Sequence, residues 1–349
     1  MQRAGTGMNA VFSPKERLLR TLCGQGTERP PVICPGGMMN AAIVDVMEKT
    51  GHTLPEAHHA AGLMENLARD VSEQTGFENF GIPFCMTIEA EALGSDVDFG
   101  SLKCEPKIVR EPFSSVEQVR FLPKGAILKN KRAEAVIGAV SSLSKKQPDI
   151  PVIGSITGPI SLTASLVDPL MFFKELRKKK ETAHKVINYV TEQIIEYARL
   201  MAENGAAVIS IADPTATGEI LGPVLFEEFA VPYINKIVQA IHKMNVPVIV
   251  HICGDVKMVK KHLAALQGKA ISVDAMVNLY KLKEEYPALT TMGNLSTYML
   301  ESSDPEKILN AARRLLEQKI DIMAPACGLS TSTPLSNIRA FTGLVTTGI

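Results

Sequence analysis

An apolar run that ends in a histidine and a cysteine constrains this chain more than any other feature. The run is Val246-Pro-Val-Ile-Val-His251-Ile-Cys253-Gly-Asp255. Its β-branched start is typical of a parallel strand that is covered on both faces. Because side chains two residues apart point to the same face of a strand, His251 and Cys253 are predicted to project together from the strand end.

A second run of this kind lies much later in the chain and ends in another cysteine. It is Ile320-Asp-Ile-Met-Ala-Pro-Ala-Cys327-Gly328. One imidazole and two thiols on two strand ends match an open zinc site, in which three protein ligands leave a fourth position for water or substrate. The sequence therefore predicts that His251, Cys253 and Cys327 bind zinc.

Apolar runs alternate with amphipathic helical segments from about residue 150 onward. The runs are 152–156, 207–212, 246–252, 270–273, 289–292 and 320–324. Such alternation predicts a parallel sheet. With a strand at 31–34 and a less clear one between 77 and 99, we predict an α/β protein with a (β/α)8 TIM-barrel fold. The alternative is an open doubly wound sheet.

The N-terminal residues 1–30 are predicted to form a helical extension before the barrel. Ser13-Pro-Lys-Glu16 has the pattern of a helix start, with proline at the first helical position and an acid that completes a capping box. Residues 102–147 are interpreted as an excursion of short extended pieces followed by a helix. We expect one domain over residues 1–349.

Composition excludes several classes of partner. Lys and Arg (37) balance Asp and Glu (37), which argues against a nucleic-acid partner. No apolar run reaches the roughly 20 residues that span a bilayer, and no signal-type segment follows Met1. We therefore expect a cytoplasmic protein without a membrane partner. Six cysteines in a chain of this length do not indicate a disulfide framework.

The charge of the predicted zinc site indicates its chemistry. Two thiolates and a neutral imidazole bring a zinc ion close to zero net charge, which makes it a poor Lewis acid toward carbonyl groups. Such a centre suits a different task, since coordination deprotonates a substrate thiol. The ligand set leaves that sulfur nucleophilic. The reaction class that follows is alkyl transfer to sulfur.

Three acidic residues are further candidates, each with a structural alternative. Asp274 ends the strand at 270–274 and is either a fourth or alternating metal ligand, or a residue that caps a helix or makes a buried hydrogen bond. Asp213 follows the strand at 207–212 and either orients substrate or a neighbouring loop, or belongs to a strand-end turn. Glu91 either lines the cavity or belongs to a helix-face pair with Glu89.

The chain resembles the methylcobalamin:coenzyme M methyltransferases of the uroporphyrinogen decarboxylase superfamily over nearly its whole length. The segments that carry the resemblance include Leu54-Pro-Glu-Ala-His58, Pro83-Phe-Cys-Met-Thr87, Thr157-Gly-Pro159, Val250-His-Ile-Cys-Gly254 and Ala324-Pro-Ala-Cys-Gly328. The last two are specific to the zinc methyltransferase branch. The resemblance implies a TIM barrel with zinc held by His251, Cys253 and Cys327, and a methyl group that a partner corrinoid protein delivers as methylcobalamin to a thiol acceptor.

The resemblance also frames the remaining residues and the rival functions. Asp274 falls where this branch carries a Glu that approaches the metal, and its side chain is one methylene shorter. Ser330 and Thr331 are candidates, beside backbone N–H groups, for binding the acceptor's tail. The rivals are methyl transfer from a donor onto cob(I)alamin, a non-catalytic zinc- or corrinoid-binding protein, and uroporphyrinogen decarboxylation. Uroporphyrinogen decarboxylation is disfavoured because the decarboxylase branch carries an arginine-rich loop after the first strand. The corresponding segment here, from Cys34 to Asn40, contains no arginine.

Overall fold

Six parallel strands form the main sheet of the computed structural model, which describes residues 11–347. In spatial order they are β1 (Phe80–Ile82), β4 (Val152–Thr157), β5 (Val208–Ala212), β6 (Val248–Ile252), β7 (Ala270–Val273) and β8 (Thr291–Met292). Two short antiparallel strands, β2 (Asp96–Asp98) and β3 (Lys107–Arg110), form a separate hairpin. The strand expected between 77 and 99 is β1.

Two further extended segments close the sheet into a barrel. The segment around Ile322 pairs in parallel with Met292 at the end of β8, and Met323 pairs in parallel with Val32. The segment around Val32 is also joined to the residues just before β1, because the backbone N–H of Glu78 donates to the carbonyl of Val32 (2.9 Å). The eight extended segments form the predicted (β/α)8 TIM barrel, so the open-sheet alternative is wrong.

Helices surround the barrel and connect its strands. They are α1 (Pro14–Leu22), α2 (Val44–Thr50), α3 (Ala61–Thr75), α4 (Ile88–Ala92), α5 (Lys131–Lys146), α6 (Pro159–Leu166), α7 (Pro169–Lys178), α8 (Lys180–Glu203), α9 (Gly222–Leu225), α10 (Val231–His242), α11 (Lys260–Leu263), α12 (Leu279–Glu285), α13 (Thr297–Ser302), α14 (Pro305–Glu317) and α15 (Leu335–Thr347). Among these helices, none combines the length and apolar character needed to cross a bilayer.

The N-terminal helix α1 closes the amino-terminal end of the barrel. Its start carries the predicted capping box, in which Ser13 and Glu16 satisfy each other's backbone N–H groups. Leu18 and Leu22 of α1 are buried in an apolar layer, the basal cluster. Its other members are Ile33, Met39, Ile153, Val208, Ile249, Ala270, Met292, Ile322 and Ala324. The part of the predicted extension before residue 11 lies outside the described residues.

Ion pairs fix α1 against the barrel. The buried Arg17 donates to Glu28 and Glu78, and Glu78 also accepts from Arg29 and from the backbone N–H of Val32. Glu78 therefore connects α1 to the first extended segment and to the turn that leads into β1. Because both partners are paired and hydrogen-bonded, the cost of burying these charges is offset.

Truncation of Leu18 tests the role of the basal cluster. Leu18 is fully buried, so Leu18→Ala leaves a cavity and is expected to lower the free energy of unfolding by about 2–4 kcal/mol. Urea titration followed by circular dichroism measures the change. Val11→Ala is the control, since Val11 is 86% exposed at the same end of the chain. Equal free energies of unfolding for the two variants would contradict the conclusion that α1 closes the amino-terminal end of the barrel.

Candidate active site

The inner face of β6 positions two of the three predicted ligands. Ile249, His251 and Cys253 follow one another at intervals of two residues; Ile249 belongs to the basal cluster, and Cys253 lies just beyond the strand. Cys327 arrives from the last extended segment, whose residue Pro325 pairs with Leu295 after β8. The barrel therefore brings together groups that are 74 residues apart in sequence.

The three side chains converge on one point. Nε2 of His251 lies 2.9 Å from Sγ of Cys253, and the two sulfur atoms lie 3.6 Å apart. All three ligand atoms lie within 4.8 Å of one another. His251 is fully buried and Cys253 is 8% exposed. This arrangement of one nitrogen and two sulfur atoms, the triad, has the donor types and spacing to hold a metal ion.

Ser272 on the neighbouring strand β7 orients the imidazole of His251. The parallel register places Ser272 opposite His251, and its hydroxyl lies 2.9 Å from Nδ1. A partner on Nδ1 leaves Nε2 directed at the two sulfur atoms, as metal-binding histidines require. Sequence reasoning did not select Ser272, although its inward position follows from the same alternation of side chains along β7.

The pKa values of the two thiols, Cys253 and Cys327, are shifted in opposite directions. The hydrogen bond between the sulfur atoms of Cys253 and Cys327 lowers the pKa of Cys327, with further help from His251. The same interaction, together with burial, raises the pKa of Cys253. The interaction therefore favours the thiolate form at Cys327, which is the form that binds metals.

Met38 was not selected from the sequence, and it contacts the triad directly. Its thioether sulfur lies 3.6 Å from Sγ of Cys253. The carbonyl of Met38 lies so close to Gly328 that a side chain at position 328 would meet it at 2.4 Å, which explains the glycine after Cys327. Met38 and Cys327 both line a cavity of about 470 Å³, so the triad contributes Cys327 to the wall of this cavity.

Asp274 lies beside the triad and is engaged by its own loop. Its carboxylate accepts a hydrogen bond from the backbone N–H of Met276 (3.2 Å), and its carbonyl accepts one from Asn294 (2.7 Å). The group of ligand atoms within 4.8 Å of one another does not include Asp274 among the described residues. Asp274 is nevertheless close enough to raise the pKa of Cys253, after the larger effects of Cys327 and burial.

Asp213 organises the start of helix α6. Its fully buried carboxylate accepts hydrogen bonds from the backbone N–H groups of Ile160 (3.1 Å) and Ser161 (2.8 Å) and from the hydroxyl of Ser161 (2.6 Å). A side chain at Gly158 would collide with it at 2.3 Å. Burial raises the pKa of Asp213 to about 6 despite these hydrogen bonds. The structure places Asp213 as the link between β5 and α6.

Glu91 lies apart from the triad. Its carboxylate pairs with the buried Arg132 (2.8 Å), which also donates to Thr87 and Cys85. Glu91 lines a separate cavity of about 710 Å³. This cavity shares no lining residue with the cavity beside Cys327. Its helix neighbour Glu89 is buried and holds the end of β4 through the backbone N–H of Thr157.

Ser330 lies at the cavity beside Cys327, as the sequence suggested, but its proton is already used. The hydroxyl of Ser332 donates to Glu301 (2.7 Å). In the 2.7 Å contact between Ser330 and Ser332, the hydroxyl of Ser330 is therefore the donor and that of Ser332 the acceptor. The hydroxyl of Thr331 donates to the carbonyl of Lys103 (2.9 Å). Neither hydroxyl retains a free proton for an acceptor's tail.

Comparison with known proteins places the chain in a family. The model of the family described as uroporphyrinogen decarboxylase (URO-D) matches residues 13–347. The chain belongs to the uroporphyrinogen decarboxylase family. Within this family it is 32% identical to the methylcobamide:CoM methyltransferase MtbA of Methanosarcina acetivorans, over 94% of this chain and 96% of that protein. MtaA of Methanosarcina barkeri, also a methylcobamide:CoM methyltransferase, is 31% identical over 94% and 96%.

A solved structure supports the same placement within the uroporphyrinogen decarboxylase family. A methyltransferase from Methanosarcina mazei superposes with a TM-score of 0.88 at 31% identity and covers 95% of this chain and 98% of that chain. A B12-independent methionine synthase from Shewanella matches with a TM-score of 0.53 at 13% identity and shares the fold alone. The predicted family and barrel are thus confirmed.

The raised pKa of Asp213 predicts a pH effect on stability. An unfolded Asp ionises near pH 3.8, whereas folded Asp213 keeps its proton until about pH 6. Its ionisation therefore opposes folding, and its contribution to stability falls as the pH rises from about 4 to about 6. In Asp213→Asn this part of the pH dependence should disappear. Urea titrations between pH 4 and 7 measure it, and an unchanged slope in the variant would contradict the assignment.

Proposed function

We propose that this protein is a zinc-dependent methyltransferase that moves a methyl group from a methylated corrinoid, carried by a partner protein, to a small thiol such as coenzyme M. The convergence of His251, Cys253 and Cys327 at the carboxyl ends of the barrel strands carries the proposal. Functional groups of TIM-barrel enzymes lie at this end. The methylcobamide:CoM methyltransferases among the relatives support the methyl donor and the acceptor.

The triad supplies the metal ligands in this proposal. Three ligands are fewer than the four that close a structural zinc site, which favours a substrate-binding centre over a structural one. A bound zinc ion would lower the pKa of an acceptor thiol and keep its sulfur nucleophilic at neutral pH. Ser272 holds the ring of His251 so that Nε2 stays available as a ligand.

Methyl transfer itself needs no proton movement. The acceptor's sulfur attacks the methyl carbon, the carbon–sulfur bond forms as the cobalt–carbon bond breaks, and the corrinoid leaves as Co(I). We therefore assign no general base. Met38 and Cys327 form the inner wall of the cavity beside the triad, where the acceptor enters. Asp274, released from the N–H of Met276, is the residue we propose to adjust charge at the metal as the thiolate becomes a thioether.

Zinc content tests the ligand assignment. Cys253→Ala is expected to lose stoichiometric zinc, and Ser272→Ala should weaken zinc binding by about ten- to a hundredfold, because an unsupported imidazole binds less well. Metal analysis and competition with a chromogenic chelator measure both. Cys34→Ala is the control for a buried cysteine outside the triad, and Ser210→Ala is the control for a buried inward serine on β5. A zinc-replete Cys253→Ala would refute the assignment.

Turnover tests the reaction. Purified zinc-loaded protein mixed with methylcobalamin and coenzyme M is expected to convert the corrinoid spectrum to that of cob(I)alamin and to form methyl-coenzyme M. Cys253→Ala should lower the rate by on the order of a hundredfold or more, whereas Cys34→Ala should retain it. Offering methyl donors with cob(I)alamin examines the opposite direction. Methylation of the corrinoid in that assay, without any methylation of thiols, would overturn the proposed direction.

A further inference from the structure

The cavity beside Cys327 carries two charged side chains that the proposed reaction does not use. Lys103 and Glu105 belong to the segment between β2 and β3, and both line the cavity together with Met38, Cys327 and Ser330. The hydrogen bond from Thr331 to the carbonyl of Lys103 holds this segment against the loop that follows Cys327. Lys103 and Glu105 therefore lie in the wall of the same cavity as Cys327 of the triad.

The polar groups around this cavity differ in how far they are already engaged. The hydroxyls of Ser330 and Thr331 each donate a hydrogen bond within the protein. Glu105 accepts a hydrogen bond from the amide of Asn40 (3.3 Å). Among residues 11–347, the ammonium group of Lys103 has no carboxylate within ion-pair distance, unlike that of Lys107, which lies 3.7 Å from Asp98.

We propose that this cavity binds the tail of the acceptor thiol and that Lys103 selects a tail ending in an acidic group, a sulfonate or a carboxylate, against the opposing charge of Glu105. This inference rests on the proposed function and adds the residues that determine acceptor specificity. Because Cys327 and Lys103 line the same cavity, an acceptor whose sulfur binds at the triad would extend its tail toward Lys103. Lys103 attracts an anionic tail and Glu105 repels it. Substitutions of these two residues should therefore change KM in opposite directions.

The experiment measures four thiols against three variants. The thiols are 2-mercaptoethanesulfonate, 3-mercaptopropionate, 2-mercaptoethanol and 2-aminoethanethiol. Lys103→Met should raise KM for the two anionic thiols by about three- to tenfold and lower it for the cationic one, as an exposed charge pair allows. Glu105→Gln should change each KM in the opposite direction by about two- to threefold. The neutral thiol should respond to neither substitution.

Lys107→Met is the matched control, since Lys107 lies on the same hairpin, at the start of β3, is 70% exposed and does not line the cavity. It should leave all four values unchanged. Calorimetric titration of the zinc-loaded protein with each thiol, without a methyl donor, should give the same order of affinities. Circular dichroism and zinc content identify any variant that has not folded, and Glu105→Gln then carries the test.

The possible failures are distinguishable. If the wild-type protein methylates none of the four thiols, the proposed function fails. If it methylates thiols but Lys103→Met and Lys107→Met have the same relative KM values, the function stands and the role of Lys103 is refuted. A preference for the carboxylate or for the sulfonate, lost in Lys103→Met, supports the proposal and identifies the tail.

Discussion

The alternation of side chains along β6 is the constraint on which the rest of the structure depends. One face of this strand supplies Ile249 to the basal cluster, His251 to the middle of the barrel and Cys253 to its carboxyl end. A shift of one residue would turn all three outward. The parallel register with β7 then fixes Ser272 opposite His251. Packing at the base of the barrel and the positions of His251 and Cys253 at its carboxyl end are thus set by the same hydrogen-bond ladder.

Closure of the barrel supplies the third member of the triad. Cys327 follows the extended segment that pairs with β8 on one side and with Val32 on the other. These pairings position the segment that ends in Cys327 so that Cys327 lies close to Cys253. The basal cluster, to which α1 contributes Leu18 and Leu22, lies beneath this seam and includes Ile33 and Ile322 from its two sides. The stability of the barrel at its amino-terminal end and the geometry of the triad at the other end are therefore connected through the same segments.

The sequence predicts the parts of the molecule that local periodicity controls. The barrel and the common direction of His251 and Cys253 follow from the two periods of strand and helix. The capped start of α1 follows from the local motif Ser13-Pro-Lys-Glu16. Met38 and Arg132 could not be found in this way. Met38 lies in a loop without periodicity, and its contact with Cys253 exists only after the barrel closes. Arg132 follows a lysine at the start of a helix and has the pattern of a solvated residue, yet Glu91, Thr87 and Cys85 surround it. Such burial depends on partners that are about 40 residues or more away in sequence.

The acidic residues around the triad have a common arrangement that favours a cation at its centre. Asp213 and Asp274 are each held by backbone N–H groups: those of Ile160 and Ser161, and of Met276, respectively. Backbone dipoles fix a carboxylate without cancelling its net charge, whereas an Arg or Lys partner would neutralise it. Both acids help to raise the pKa of Cys253, after the larger effects of the hydrogen bond to Cys327 and of burial. Ionising both thiols in such surroundings is costly unless a positive ion binds between them. In the proposed function, a divalent metal bound between the two thiols would offset that cost.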